Sequence, residues 1–199
     1  GLYNQKWKYP PETILSHSFF TRYPEEYYRF HREKLVIDNV KPNAAHLKLA
    51  ELEQKGKLRA VVTQNIDGLH QAAGSKKVLE LHGSILRSYC SVGGKPYPAD
   101  KMNHGAGVPH CTCGGVIRPD IVLYEEPLDE NIVTEAVRVI SEAEVLIIGG
   151  TSLNVYPAAG LINYYRGNKL ALVNLSSTPY DDRADLVIHE KIGKVFSQL

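Results

Sequence analysis

Amide, carboxylate and imidazole side chains follow two apolar stretches of this sequence, at the point where each stretch ends. Gln64, Asn65 and Asp67 come directly after the first stretch, and His82 follows the next one along the chain. Open α/β sheets bind ligands outside the carboxyl ends of their strands, so polar groups at two strand ends predict a ligand site. An imidazole titrates near neutral pH. We therefore interpret the site as a cofactor site with His82 as its general base.

Strands and helices alternate along the chain in an order that can bring these residues to one sheet edge. Asn43 is a good N-cap for a helix over 44–54. A second, amphipathic helix is predicted over 130–142. The wholly apolar run 145–148 is typical of a buried parallel strand. Strand-helix alternation indicates an α/β fold built on a doubly wound parallel sheet. The other predicted strands cover 58–64, 78–81, 120–124, 170–174 and 186–188, and a further helix covers 158–165.

Local composition divides the chain into three parts. Residues 1–32 are rich in aromatic side chains and prolines, which predicts a helical module. Residues 86–117 combine Gly, Pro, Cys, His and Lys with almost no periodicity, which predicts a small inserted cysteine-containing module. Residues 33–85 and 118–199 carry the alternating elements of the parallel-sheet domain. No initiator Met, strand or glycine-rich turn precedes Gly1, so we expect an N-terminal piece to be missing from these residues.

Composition and charge exclude several classes of protein. The chain has 199 residues, of which 43% are hydrophobic and 23% charged, values typical of a globular protein. A net charge of +1 gives no electrostatic case for binding nucleic acid or an anionic membrane. No apolar run approaches the roughly 20 residues that span a bilayer. The sequence opens without a signal peptide, so a cytoplasmic protein is the prediction.

The three cysteines all lie in the inserted module, which favours a metal site or free thiols over a disulfide framework. Structural zinc sites use four ligands, commonly as two C-x2-C pairs. Cys90 lacks such a partner, because the residue three positions on is a glycine. Cys90, Cys111 and Cys113 with His110 or His104 would complete a set, although Cys111 and Cys113 are spaced poorly for one tetrahedral ion. A zinc site and a zinc-free remnant held by packing both stay open.

Small and hydroxylic residues follow a third predicted strand. Gly149-Gly150-Thr151-Ser152 lets backbone amides and hydroxyls approach a phosphate or ribose, although a simple strand-to-helix turn is an equal alternative. Asn174 also ends a strand, where its amide can bind a ribose hydroxyl or form a turn. The sequence contains no GxGxxG, which disfavours a conventional dinucleotide dehydrogenase.

Several segments, in order along nearly the whole chain, resemble the sirtuins, the NAD-dependent protein lysine deacylases. This resemblance implies a Rossmann-like domain that carries a smaller zinc-ribbon-like module and a helical module. NAD and an acyl-lysine protein or peptide would be the ligands. The segments are TQNIDGLHQAAG (63–74), LELHGS (79–84), CGGVIRPDIV (113–122), GTSLNVYPAAGLI (150–162) and LVNLSSTP (172–179).

The resemblance also implies a role for each matching residue. His82 would be the catalytic base, while Asn65 and Asp67 would line the nicotinamide-ribose pocket together with Gln64. On the substrate side, Ile66, Val122 and Tyr124 would line the acyl-lysine tunnel, and the backbone near Val155 would flank the peptide as an added strand. On the phosphate and adenosine side of NAD, the implied residues are Gly150, Thr151, Ser152, Asn174 and Ile192.

The implied reaction transfers the acyl group of lysine to NAD. The acetyl-lysine oxygen attacks the anomeric carbon as nicotinamide leaves, and positioning supplies much of the barrier reduction. Neutral His82 then removes a ribose hydroxyl proton, so that this oxygen attacks the alkylimidate. The products would be deacetylated lysine, nicotinamide and O-acetyl-ADP-ribose.

Departures from the family pattern keep two further functions open. The sirtuin segment that begins with a strand and a glycine-rich phosphate turn is absent, and the zinc cysteines are incomplete. The usual Phe-Gly-Glu reads Tyr124-Glu125-Glu126, where Glu125 could disfavour acidic peptides. An NAD-dependent mono-ADP-ribosyltransferase would use the same NAD pocket. A non-catalytic NAD or ADP-ribose binding module is the third possibility. Deacetylation is the leading prediction, because the presence of His82 favours it: transfer to a side chain needs no resolution of an alkylimidate.

Overall fold

The computed structural model describes residues 7–36 and 38–199, which form two compact units. Unit 1 contains the described residues up to Val40 together with Asn65–Gly68 and His82–Leu128. Unit 2 contains Lys41–Gln64, Leu69–Leu81 and Asp129–Leu199. The opening residues on which the prediction of a preceding segment depends lie outside the described residues. The three-part division drawn from composition stays a prediction.

The secondary structure alternates between helices and strands, as the sequence predicted. The helices are α1 (Pro11–Ile14), α2 (His17–Arg22), α3 (Pro24–Phe30), α4 (Ala44–Gln54), α5 (Leu69–Ala72), α6 (Ala99–Asn103), α7 (Glu130–Ser141) and α8 (Ile192–Phe196), with a π-helical turn at His31–Leu35 and 3-10 turns at Ala158–Tyr164 and Asp181–Arg183. The strands are β1 (Val61–Thr63), β2 (Val78–Glu80), β3 (Gly83–Cys90), β4 (Pro96–Pro98), β5 (Ile117–Ile121), β6 (Leu146–Gly149), β7 (Leu170–Val173) and β8 (Leu186–Ile188).

Unit 1 packs aromatic helices against a three-stranded antiparallel sheet with the order β4-β3-β5. Tyr27, Tyr28 and Phe30 are almost fully buried at the centre of this core. Phe20 meets Tyr27 edge to face at 4.8 Å between ring centroids, a geometry that aromatic pairs prefer. Large rings supply much apolar area per residue, so these short helices can form a core despite their length.

Unit 2 is built from parallel strands, with β1 beside β2 and a three-stranded sheet ordered β6-β7-β8. The side chain of Asn43 accepts hydrogen bonds from two backbone amides at the start of α4, so the predicted cap is confirmed. Asp129 caps α7 in the same way. The core between α7 and the 3-10 turn uses small and aliphatic residues, among them Ala136, Ile140 and Leu161.

Three predictions about strands need correction. The strand predicted over 120–124 lies instead at Ile117–Ile121, where it pairs with β3 in the antiparallel sheet. The strand predicted over 58–64 is only Val61–Thr63 in the structure, where it pairs with β2. The strand predicted over 145–148 forms as β6 and is parallel, but it is not buried, since Ile147 is 45% exposed. β6 lies at the edge of its sheet with β7 as its strand neighbour in unit 2, which leaves one side of it open. Within residues 7–36 and 38–199, no helix has the length and apolar character needed to cross a bilayer.

Candidate active site

The structure distributes the predicted site residues between the two units. Unit 1 carries the candidate base and its neighbours, and unit 2 carries the residues predicted for the phosphate and adenosine side of NAD. The unit 1 residues are Asn65, Ile66, Asp67, His82, Val122 and Tyr124, together with Cys90, Cys111 and Cys113. The unit 2 residues are Gln64, Gly150, Thr151, Ser152, Val155, Asn174 and Ile192.

In unit 1 the segment Asn65–Gly68 is hydrogen-bonded to the start of β3. The amide of Ile85 donates to the carbonyl of Ile66 at 3.0 Å. The hydroxyl of Ser84, which is 1% exposed, lies 3.5 Å from the same carbonyl oxygen. The polar segment and the first residues after His82 are therefore adjacent.

A close backbone approach fixes the chain next to His82. The carbonyl of His82 accepts a hydrogen bond from the amide of Val122 at 3.0 Å. Gly83 has a φ of +76°, and a Cβ at this position would lie 2.0 Å from the carbonyl oxygen of Asp120. Only glycine has both the conformational freedom and the space for this turn. Gly83 therefore determines the direction in which the chain leaves His82, which is partly buried.

The loop after β5 is held by a largely buried ion pair. Arg118 donates two hydrogen bonds to Glu126, at 2.7 and 2.9 Å, and a third to the carbonyl of Ile121 at 3.1 Å. Burial alone would raise the pKa of Glu126, but the Arg118 guanidinium and His17 hold that pKa at about 2. Tyr124 lies on this loop, so the ion pair positions a residue predicted to line the acyl-lysine tunnel.

Glu125, which stands where the sirtuin pattern has glycine, adopts a φ of +76°. Its carboxylate accepts hydrogen bonds from the amide and the hydroxyl of Ser18, at 2.9 and 2.8 Å. These bonds lower the pKa of the Glu125 carboxyl below its ordinary value. The left-handed backbone is uncommon for a residue with a side chain, and the contacts with Ser18 help to hold it.

In unit 2 the carboxyl ends of the parallel strands carry the small residues predicted for phosphate binding. Gly150 has a φ of +65°, and a Cβ there would meet no atom within 4 Å. The hydroxyl of Thr151 lies 3.4 Å from the side-chain nitrogen of Gln64 and accepts from the amide of Leu153 at 3.2 Å. Open space above a glycine and a fixed hydroxyl fit the approach of a nucleotide.

Ile192 and Asn174 lie at the same sheet edge. A Cβ on Gly149 would lie 2.2 Å from the terminal methyl of Ile192, so Ile192 covers the end of β6. The Asn174 side chain donates to the carbonyl of Ser176 at 2.8 Å, which supports the turn-forming interpretation of this residue. Its position at the end of β7 is also the one predicted for ribose binding.

The three cysteines converge into one cluster of thiols. The sulfur atoms of Cys90, Cys111 and Cys113 all lie within 4.8 Å of one another, a set that fits a thiophilic ion such as zinc. The two-residue spacing of Cys111 and Cys113 therefore does not keep their sulfur atoms apart, and the zinc site stays a prediction. The proposed histidine ligands are not in the cluster: His110 is 2.9 Å from the carbonyl of Val108, and His104 lies near carboxylates.

Two contacts in unit 1 have no signal in the sequence. The Tyr97 hydroxyl donates to the sulfur of Cys111 at 3.1 Å, across 14 residues of chain. The pKa of the Cys111 thiol is lowered to about 6, first by a backbone hydrogen bond from Cys113 and next by the hydrogen bond from the Tyr97 hydroxyl. His31 is fully buried beside Asn103 at 2.8 Å, and burial lowers its pKa. Tyr97, His31 and Asn103 lie in segments that show no motif.

Parallel strands that end in glycine, hydroxyl and amide groups define an α/β protein of the nucleotide-binding class. The family comparison is more specific. The model of the Sir2 family matches residues 1–157, and the chain belongs to this family.

Two bacterial relatives carry the same description. The NAD-dependent protein deacetylase of Clostridium perfringens (strain 13 / Type A) is 58% identical over 203 residues, which cover 100% of this chain and 83% of the relative. The protein of the same name from Clostridium acetobutylicum is 56% identical over 199 residues, 98% of this chain and 81% of the relative.

Solved structures agree with this assignment. A structure described as Sir2 with a p53 peptide and NAD+ matches with a TM-score of 0.90 at 41% identity, over 100% of this chain and 85% of that chain. A structure of Sir2 bound to an acetylated peptide matches with a TM-score of 0.90 at 42% identity, over 98% and 84% of the two chains.

Proposed function

We propose that this protein is an NAD-dependent protein-lysine deacetylase, which forms nicotinamide, O-acetyl-ADP-ribose and a free lysine side chain. The observation that carries the proposal is the hydrogen bond between Ile66 and Ile85, which places the Asn65–Gly68 segment beside the chain that follows His82. An imidazole and an amide-carboxylate segment at one strand end are the groups that the sirtuin reaction uses. Membership of the Sir2 family and the names of its relatives support the same activity.

His82 acts as the general base in this proposal. The neutral imidazole accepts a proton from a ribose hydroxyl of NAD, and the resulting oxygen attacks the carbon of the transferred acetyl group. Asn65 and Asp67 position the nicotinamide ribose and offset positive charge that develops on the sugar. Gly83 supports this arrangement, since its turn leaves no freedom in the backbone next to His82.

The NAD-binding side of the proposal uses the strand ends of unit 2. Gly150 allows close approach of the pyrophosphate, and Thr151 and Ser152 supply hydroxyl donors. Asn174 binds the adenosine ribose, and Ile192 packs against the adenine. Gln64, whose amide is 3.4 Å from the Thr151 hydroxyl, contacts the nicotinamide ribose.

The acyl-lysine substrate has its own set of proposed residues. Ile66, Val122 and Tyr124 line the tunnel for the lysine side chain, and the backbone at Val155 pairs with the peptide as an added strand. Val155 is 37% exposed, which leaves it accessible to a peptide. The protein acts in the cytoplasm, where a reducing environment keeps thiols free. None of its three cysteines forms a disulfide, which supports this location.

The test is an assay with an acetyl-lysine peptide and NAD labelled in its adenosine half. We expect labelled O-acetyl-ADP-ribose in proportion to released nicotinamide. Label transferred to the peptide or the protein would instead identify an ADP-ribosyltransferase. Retention of label without turnover would identify a binding module. Fractionation of the source cells tests the cytoplasmic location.

The role of His82 is tested with His82→Ala in the same assay. We expect product formation to fall by about 10²–10⁴-fold, the usual contribution of a general base. His104→Ala is the matched control, because this exposed histidine only approaches Asp38 and Asp100, at 3.7 and 3.9 Å. Near-normal turnover by a folded His82→Ala variant, checked by circular dichroism, would refute the assignment.

A further inference from the structure

The cysteine cluster lies between two tight turns of the antiparallel sheet in unit 1. Cys90 ends β3, and its carbonyl accepts a hydrogen bond from the amide of Gly94 at 2.9 Å. On the opposite turn, the carbonyl of Cys111 accepts from the amide of Gly114 at 2.9 Å. Backbone bonds within each turn hold the cysteine positions, so the cluster is a built arrangement of thiols.

The distances between the sulfur atoms match one bound cation. Sulfur ligands at a Zn–S distance of about 2.3 Å in a tetrahedron lie about 3.8 Å apart. Cys90 and Cys113 have their sulfur atoms 3.4 Å apart, and all three sulfur atoms lie within 4.8 Å of one another. Changes of at most about 1 Å in these separations bring them to that geometry. Carboxylate oxygens would favour harder ions, whereas three thiolates select soft, thiophilic cations.

Gly93 stands three residues after Cys90, where a C-x2-C pair would supply a fourth thiol. The amide of Gly93 donates to the sulfur of Cys90 at 3.4 Å, so this residue borders the cluster. A Cβ on Gly93 would meet nothing within 4 Å, and Gly93 and Cys113 are both exposed. Among the described residues, no histidine, carboxylate or further cysteine joins the three thiols. Solvent therefore reaches the side of the cluster where a fourth ligand would bind.

The groups around the cluster would stabilise a metal site whose net charge is negative. A divalent ion with three thiolates carries one net negative charge. The Tyr97 hydroxyl donates to the Cys111 sulfur, and the ammonium groups of Lys95 and Lys101 each lie 5.5 Å from the centre of the Tyr97 ring. A hydrogen-bond donor and nearby cations stabilise thiolate ligands from outside the coordination sphere.

We infer that Cys90, Cys111 and Cys113 bind one thiophilic divalent cation through three protein thiolates, with a small exchangeable ligand in the fourth position. Sites with four protein ligands are closed, whereas a site with three keeps a position for water or another small molecule. The bound ion in this protein therefore exchanges ligands with the solution. This inference does not depend on the proposed catalytic function, because its readouts are spectroscopic.

The experiment uses the full chain, kept reduced with a phosphine and titrated with Co2+ as a coloured substitute for zinc. We expect one Co2+ per chain, with absorption bands of thiolate ligands at tetrahedral cobalt. Imidazole or a small thiol should shift the cobalt bands of the wild-type protein, because it enters the fourth position. A wild-type spectrum that ignores these added ligands would overturn the inference.

Gly93→Cys provides the matched variant, since the structure has space for its side chain and Gly93 has no left-handed φ. We expect this variant to bind Co2+ at least about tenfold more tightly and to lose its response to imidazole, because four thiolates close the site. Cys113→Ser, at an exposed position, should weaken binding at least about tenfold. Equal affinity of Cys113→Ser and the wild type would mean that the thiol cluster is not the site.

Discussion

The two units hold their functional segments by different physical means. In unit 1, buried polar contacts hold the segments in place. Arg118, for example, donates hydrogen bonds to Glu126 and to the carbonyl of Ile121. In unit 2, small and aliphatic residues pack around the strand ends, and ion pairs such as Arg59 with Glu142 lie on the surface. Buried polar networks specify one geometry but are costly to break, whereas aliphatic packing adjusts. The segment around His82 is therefore the more sensitive to substitution.

The largest effect on stability is expected from Arg118→Met. This change leaves Glu126, whose side chain is 16% exposed, without its main partner. Removal of one member of a buried pair typically costs about 3–5 kcal/mol, and we expect the free energy of unfolding in urea to fall by about 3 kcal/mol. The pKa of Glu126 should also rise from about 2 towards its ordinary value.

Arg59→Met in unit 2 is the control for that prediction. Its side chain is 64% exposed, so loss of its ion pair with Glu142 should cost at most about 1 kcal/mol. The double variant Arg118→Met/Glu126→Gln should recover part of the loss, because no unpaired charge remains. Equal effects of Arg118→Met and Arg59→Met would remove the contrast between the units.

A pair of glycine substitutions gives a smaller but sharper comparison. In unit 1, Gly83→Ala places a Cβ 2.0 Å from a backbone oxygen at a φ of +76°, and we expect a cost of about 2 kcal/mol from strain and overpacking. In unit 2, the Cβ of Gly149→Ala would clash with the terminal methyl of Ile192 at 2.2 Å, while its other neighbours lie at an ordinary 3.4 Å. That methyl can change rotamer at a cost of about 0.5–1.5 kcal/mol. Urea midpoints of the two variants test the order. A larger loss for Gly149→Ala would contradict it.

Elements with local signals were predicted well from the sequence. Helix α4 begins where Asn43 predicts, because a cap acts within one turn. Helix α7 also matches its prediction to within one residue. The antiparallel sheet of the cysteine module was not predicted, since β3 pairs with β5 across a long loop and only tertiary contacts decide such pairing. The exposure of β6 was missed for the same reason.

The candidate site also contains residues that the sequence indicates and contacts that it does not. The polar residues that end strands were visible in the sequence because strand and site residues are neighbours in the chain. The contact between Tyr97 and Cys111 was not visible in the sequence, since the hydroxyl and the thiol come from separate segments of the module. The same is true of Arg118, whose place in a family-like segment gave no indication of its ion pair with Glu126. Contacts that position a site are harder to predict than the residues that act in it.

The smallest expected effect concerns the buried imidazole of unit 1, and it depends on pH. Burial holds the pKa of His31 below its ordinary 6.5, while its Nε2 contacts Asn103 and the Arg32 charge lowers the pKa further. Below pH 6.5 the unfolded chain binds a proton that the folded chain does not, so stability falls as the pH falls. The slope approaches about 1.4 kcal/mol per pH unit, down to the folded-state pKa.

His31→Gln keeps a polar group beside Asn103 but removes the titration. Between pH 8 and about 5.5, the free energy of unfolding of the wild type should fall by roughly 1 kcal/mol more than that of the variant. Any difference between the two proteins above the ordinary pKa of 6.5 should be independent of pH, because the imidazole is then neutral in both the folded and unfolded chain. Parallel stability curves throughout the range would show that burial of His31 has no linkage to folding. Such a result would also mean that unit 1 tolerates a buried charge as readily as unit 2 tolerates changes at its surface.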